Sequence, residues 1–285
     1  MAMPVQGLRL DANVVIPVRE PLCEVNRRLL ELLGSFTAED WSRPTVHPDR
    51  DVKDLAAHLL HGSIRRVTAI RDRYHRPTPP IVDTADLIAF IQDDNRDFMR
   101  GMRRVSPRIL MELIAVYDEE LLGALNALEP NADGLGVAWA GERVSRNWFD
   151  VAREYTEKWH HQQQIRDATG RAPLDEPRFL EPALETFARG LPFAFRSLAF
   201  PEESRVSIES TGAATSSWTL HRKSGEWSLW RGRDPRATCS VSIPADVAWR
   251  VWTKSMDRGE ARRQIRVVGD ASAADAVVSF VAIMA

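Results

Sequence analysis

A chain of 285 residues that is 44% hydrophobic and 27% charged can build one large domain or two ordinary ones with buried cores. Its formal net charge of -2 gives no footprint for nucleic acid or an anionic membrane. The basic residues are scattered as pairs, Arg65–Arg66, Arg103–Arg104 and Arg262–Arg263, which read as solvated helix faces. Two distant cysteines, Cys23 and Cys239, exclude a disulfide framework and a thiolate-held metal, so any metal must take nitrogen and oxygen ligands.

The N-terminus (MAMPVQGLRLDANVV) has no basic start followed by a long apolar run, so no signal peptide is expected. No stretch approaches the ~20 apolar residues of a membrane span, and a reducing cytoplasm is the simplest compartment. Leu22, Val25, Leu29, Leu32 and Leu33 give Pro21 to Phe36 a helical rhythm. Thr37 to Asp40 reads as a helix stop and turn. Asp51 is placed to cap a helix running to about Arg73, with Val52, Leu55, Ala56, Leu59 and Val67 as its apolar stripe. A proline-rich break from His75 to Pro80 precedes two further helices, Thr84 to Val105 and Ser106 to Leu128. The second opens on Ser106-Pro107 as cap and first helical residue.

Glu129 to Gly141 reads as a loop, extended around Val137 to Ala140. A long helix follows from about Ser145 to Thr169 and stops at Gly170. Pro182 and Pro192 are expected to interrupt the helical segment Pro177 to Phe200. Beyond Pro201 the pattern turns to strands, at Arg205–Glu209, Ser217–His221, Glu226–Arg231 and Thr238–Ile243. A helix at Pro244–Met256, a strand at Gln264–Val268 and a final helix at Ala273–Met284 complete the chain. The fold class is α+β, with a helical domain over 1–200 and a smaller α+β domain over 201–285. Trp218, Trp227, Trp230, Trp249 and Trp252 are expected in the core of that smaller domain.

The most informative segment is Arg153 to Gly170 (REYTEKWHHQQQIRDATG). Glu157 precedes His161 by about one helical turn, so both project from one face, in a polar row with Asp150, Glu154 and Gln164. Such a pair alone is also what an ordinary intrahelical ion pair looks like. His58, on the flank of an apolar helical stripe, is the candidate third ligand, although a lone histidine there is more often a hydrogen-bonded core residue. His61 should turn further towards solvent, and His160 should point away from the triad by ~100°.

Two imidazoles and a carboxylate on facing helices leave coordination positions open, as a catalytic metal requires. Zinc suits that donor set, with nickel or iron as alternatives. Glu154 is the candidate for an orienting group or a base, and a surface carboxylate is the plain alternative.

Trp41 through Leu60 (WSRPTVHPDRDVKDLAAHLL) resembles the entry to the DinB-like four-helix bundles, and Thr156 to Gly170 resembles the E-x-x-x-H helix of their mycothiol-dependent maleylpyruvate isomerase branch. Ile265-Arg-Val-Val-Gly-Asp270 before a last apolar helix is similar to that branch's sterol-carrier-like C-terminal domain. The resemblance implies an up-and-down four-helix bundle whose metal triad falls on His58, Glu157 and His161. It implies a divalent metal, usually zinc, and a thiol cosubstrate such as mycothiol. The thiol adds to the double bond of maleylpyruvate, the resulting single bond rotates, and elimination gives fumarylpyruvate.

The resemblance also implies a C-terminal-domain arginine that aids the anionic substrate. Arg222, Arg231, Arg233 and Arg250 are available, and Arg231 and Arg250 are taken as candidates. Gln164 departs from the family, where many relatives carry Asp three residues after the metal histidine, which puts the maleylpyruvate substrate in doubt. The expected function is therefore a metal- and thiol-dependent isomerase or S-transferase acting on a small electrophilic acid. The alternatives are a metal-dependent hydrolase or a non-catalytic small-ligand-binding protein. The expected partners are a small substrate and a small thiol, without nucleic acid or membrane, for a monomer or homodimer.

Overall fold

The computed structural model describes residues 7–75 and 77–283. The N-terminal expectation therefore falls partly, and the expected end of the last helix at Met284 wholly, outside the described residues. In chain order the elements begin with β1 (Leu8–Arg9), α1 (Arg19–Gly34), a short 3-10 turn (Asp40–Ser42), α2 (Val52–Ile70), α3 (Thr84–Met102) and α4 (Pro107–Asn126). There follow β2 (Asp133–Gly134), β3 (Ser145–Arg146), α5 (Asn147–Thr169), α6 (Pro177–Ala188) and α7 (Leu191–Ala194). The last third contains β4 (Arg205–Thr211), β5 (Ser217–Lys223), β6 (Glu226–Arg231), β7 (Cys239–Pro244), α8 (Ala245–Trp252), α9 (Arg258–Gln264), β8 (Arg266–Val268) and α10 (Ala271–Ser279). The class is α+β, and among the described residues no helix is long and apolar enough to cross a membrane.

The chain divides into two compact units. One comprises 19–129 and 157–173, that is α1 to α4 and the C-terminal part of α5. Its core joins residues of the stripes read from sequence, Leu29, Leu32 and Leu33 of α1 and Leu55, Ala56 and Leu59 of α2, to Leu60 of α2, Leu110 and Ile114 of α4, and Ile165 of α5. Burying each large aliphatic side chain contributes roughly 1.5–3 kcal/mol.

The start of α2 is fixed by a capping box. Asp51 accepts from the backbone N–H of Asp54 at 2.8 Å, while the Asp54 carboxylate accepts from that of Asp51 at 3.3 Å. At the far end of α5, Gly170 takes a φ of +64°, the left-handed conformation that closes a helix cheaply only at glycine. Cys23 is exposed and Cys239 buried, and both are free thiols.

The other unit contains residues up to Val18, Pro130–Thr156 and the chain from Leu174 onward. Its six-stranded sheet runs β1-β6-β5-β4-β7-β8. The β4-β5-β6 stretch is an antiparallel meander, and β7 returns to the free side of β4 in parallel register, Ile208 opposite Val241. Along β7 the side chains of Cys239, Val241 and Ile243 are buried and those of Ser240 and Ser242 are partly open, the alternation of a sheet covered on one face. Trp218, Trp227, Trp249 and Trp252 are buried here and Trp230 is partly so.

Three local expectations change. Two-residue β1 joins the sheet edge opposite Trp230 and Arg231, too short to leave a period-2 signal. The stretch after Met256 holds the extra helix α9, started by an Asp257 side chain accepting from the N–H of Glu260. Pro182 sits inside α6 without ending it, and the break comes at Gly190 instead. A Cβ at Gly190 would lie 2.5 Å from the Phe280 ring, so only glycine admits that approach.

Candidate metal centre

Helix α5 is buried almost all round: between residues 154 and 165 only Glu157 is not buried. A helix with that burial is normally apolar. This one carries Lys158, His160, His161, Gln162, Gln163 and Gln164, each at most 6% exposed. Polar groups are retained inside a protein at a desolvation cost unless they are paired, so each must be accounted for.

Lys158 crosses to α2 and α4. Its ammonium donates to the Leu59 carbonyl at 3.1 Å, to Oγ of Ser63 at 2.5 Å and to Oδ1 of Asp118 at 2.6 Å. Gln162 donates to the Val25 carbonyl of α1 at 2.9 Å. These two anchors, on either side of the His160–His161 pair, set the rotation of α5 against α1, α2 and α4. That rotation presents Glu157 and His161 towards His58 of α2.

His58, Glu157 and His161 each offer one ligand atom, and the three atoms lie within 4.8 Å of one another. Nε2 of His161 is 3.4 Å from Oε2 of Glu157, and the His58 ring meets the His161 ring edge-on at 4.7 Å between centroids. Nδ1 of His161 lies 2.7 Å from Oε1 of Gln164. An amide oxygen only accepts, so Nδ1 carries a proton, and in the neutral ring Nε2 is then left with its lone pair facing the Glu157 carboxylate.

Two acceptors facing each other at 3.4 Å call for a positive charge between them. Tetrahedral donors about 2.1 Å from a zinc ion lie about 3.4 Å apart, the spacing found here. Nδ1 of His58 is buried and has no hydrogen-bond partner. The donor set and this unpartnered atom fit a divalent ion.

The electrostatics are consistent with that fit. Burial drives the His58 pKa well below its ordinary value and the neighbouring His161 lowers it further, so the imidazole is neutral at pH 7. Burial pushes the Glu157 carboxyl upward, but the His161 ring beside it, with those of His160 and His58, outweighs that and holds the group well below the ordinary carboxylate range. Protein packs closely around that carboxylate, yet 44% of the side-chain surface stays open, as for a group lining an opening.

His47 was not legible in the sequence. It lies in the loop before α2, with its ring 6.3 Å from that of His161. Nε2 of His47 is buried without a partner, and burial, followed by the neighbouring His161 ring, lowers its pKa to about 4. Nothing local signals its role, since the loop is brought in by the tertiary fold. Gln164 stood in the sequence as a departure from a pattern, and the i,i+3 spacing from His161 was the available sign of their hydrogen bond.

Two histidines differ from expectation. His61 is 7% exposed, hydrogen-bonded to Asn95 Oδ1 at 3.0 Å and stacked on Phe98, because α3 covers that face of α2. His160 is buried, with its ring centroid 3.9 Å from that of His161. Glu154, one turn before Glu157, is buried as well. Arg231 is held by Glu185 at 2.5 and 3.2 Å, and Arg250 by Asp246 at 3.0 Å while lying over the Trp249 ring.

Residues 22–166 match the family described as the mycothiol maleylpyruvate isomerase N-terminal domain. The chain belongs to this family. The span of the match takes in His58, Glu157 and His161, and the family is one of enzymes. Among solved structures, the mycothiol-dependent maleylpyruvate isomerase is similar at 13% identity with a TM-score of 0.52. A histidine-to-alanine variant of that isomerase is similar at 12% identity with a TM-score of 0.51. Each similarity covers 84% of this chain and 89% of the other, and at this identity each speaks for the shared fold. No curated protein matches the sequence.

Proposed function

We propose that this member of the mycothiol maleylpyruvate isomerase family is a divalent-metal- and thiol-dependent enzyme, an isomerase or S-transferase acting on a small electrophilic acid. The carrying observation is the opposed pair, Nε2 of His161 and Oε2 of Glu157 at 3.4 Å, with the His161 proton already committed to Gln164. His58, Glu157 and His161 would hold the metal, zinc being the best match to two imidazoles and a carboxylate and nickel or iron the alternatives. Such an ion supplies positive charge that lowers the pKa of a thiol and so provides thiolate at neutral pH. The thiol itself, mycothiol or a similar small thiol, is supported by the family.

The chain's own residues prepare this site. His58 keeps its lone pair because burial disfavours its protonation, and Glu157 keeps its negative charge. Gln164 fixes the His161 tautomer, in the place where a carboxylate would make that imidazole more electron-rich. That weaker acceptor is the reason to leave the electrophile broader than maleylpyruvate. Glu154 is the proposed orienting group or base, and Arg231 and Arg250 are the proposed groups for an anionic substrate. Either arginine would exchange its present carboxylate partner, Glu185 or Asp246, for that of the substrate.

The test is turnover of maleylpyruvate and related cis-enoic acids by metal-loaded protein, with mycothiol, with another small thiol and with none. Turnover that requires a thiol is expected. Thiol-independent turnover of a hydrolysable substrate would overturn this reading in favour of a hydrolase.

A further inference from the structure

The unit that holds the sheet contains a cavity of about 190 Å³, and it shares no residue with the His58–Glu157–His161 cluster. It opens between β1 and its following loop, the loop before α5, the start of α5, and β6. A cavity of about 150 Å³ accommodates a benzene-sized molecule, so this one has room for a single ring with a small substituent. Trp148, Phe149, Pro192, Leu10 and Leu229 supply apolar wall.

Three arginines also line it, Arg9, Arg146 and Arg189, against two carboxylates, Asp11 and Glu142. Of these, Arg146 is already paired with Asp133 at 2.6 Å. Arg189 is the fixed member. Its side chain is 6% exposed, and it donates to the carbonyls of Asp11 at 3.0 Å and Val14 at 2.8 Å. Its guanidinium also lies 5.1 Å from the Trp148 ring centre.

The nearest carboxylate oxygen to Arg189, Oε1 of Glu185, is 3.9 Å away and is already held by Arg231 at 2.5 Å. Nε of Arg189 has no partner, nor does the indole N–H of Trp227 on the same wall. A buried cation without a close counter-ion and two unmade donors are each costly. An anion at this wall would relieve part of both costs.

We propose that this cavity is a binding site for a small monocarboxylate with a flat apolar body, held by the Arg189 side of the wall and stacked among Trp148, Phe149 and Trp227. The ring fills the apolar half, and the carboxylate supplies the counter-charge that Glu185 does not. The site is independent of the metal reading, because none of its residues is a proposed ligand.

The probe is benzoate, titrated into full-length protein and followed by tryptophan fluorescence and calorimetry, with benzamide as the neutral isostere. Saturable one-to-one binding of benzoate is expected, at least about tenfold tighter than benzamide, as a charge-assisted pair to arginine implies. Arg189→Gln should weaken benzoate about tenfold, and Trp227→Phe, which keeps an aromatic ring and removes the N–H, should weaken it by a smaller factor. His161→Ala should leave benzoate binding unchanged, which separates this site from the metal centre. Absence of saturable binding, equal binding of benzamide, or unchanged binding by a folded Arg189→Gln protein would overturn the proposal. If Arg189→Gln does not fold, the comparison of benzoate with benzamide on the unaltered protein decides.

Discussion

Nζ of Lys158 lies 2.6 Å from Oδ1 of Asp118, with both side chains almost wholly withdrawn from water inside the helical unit. The ammonium uses its remaining donors on Ser63 and Leu59 of α2, so one residue beside Glu157 binds α5 to α2 and α4 together. Breaking such a pair from one side strands a buried charge and costs about 3–5 kcal/mol, whereas replacing both partners with apolar residues of similar size is often neutral. Asp118→Leu is therefore expected to lower stability by about that amount, and the double change with Lys158→Met to recover most of it. Urea unfolding of the two singles and the double checks this, and an additive double mutant would contradict it.

Gln164 acts on the proposed metal through His161. Replacing it with Leu removes the acceptor for the Nδ1 proton while preserving bulk, and should weaken metal binding about 10–100-fold. Gln164→Glu keeps an acceptor and should bind at least as tightly as the unaltered chain. Competition with a chromophoric chelator measures both, and equal affinities for all three proteins would remove Gln164 from the site.

The metal-free protein should lose stability between about pH 6.5 and 4. His47 titrates near about 4 in the folded chain, below the ordinary histidine value, and burial is the main cause. As pH falls, the unfolded chain takes up this proton first, so the equilibrium moves towards unfolding until the folded pKa is passed. His58 is shifted in the same direction. The urea midpoint at pH 5 should therefore lie below that at pH 7, and His47→Asn should reduce the difference. A midpoint that is unchanged or rises on acidification would contradict these assignments.

Asp51→Ala removes one half of the capping box at the start of α2, the helix that carries His58. The expected loss is about 0.5–2 kcal/mol, read as a lower urea midpoint with unchanged slope. No loss would mean that Arg103, which holds Asp54 at 2.7 and 2.9 Å, secures this helix start by itself.

Most of the helical unit was legible because its signals are local. Asp51 and Ser106 are caps where expected, Gly170 closes α5, and the Leu55–Leu59 stripe is core. The spacing of Glu157 and His161 put them on one face for the same reason. What was not legible depends on packing between elements. His47 has no periodicity to report it, and His61 looks solvent-facing until α3 covers it. β1 pairs with a strand more than 200 residues later in the chain, and only that pairing gives two residues a conformation. Lys158 in sequence is one more charged residue on a helix, and its burial follows from Asp118 and Ser63, contributed by α4 and α2.

Metal content joined to the identity of the ligands tests the central claim most directly. Purified protein, stripped and reloaded, should hold one divalent ion per chain. X-ray absorption or an anomalous-scattering crystal structure should place two imidazole nitrogens and one carboxylate oxygen, from His58, His161 and Glu157, about 2.0–2.2 Å from it. Failure to hold a stoichiometric ion, or an ion held by other residues with His161→Ala binding as well as the unaltered chain, would contradict the account.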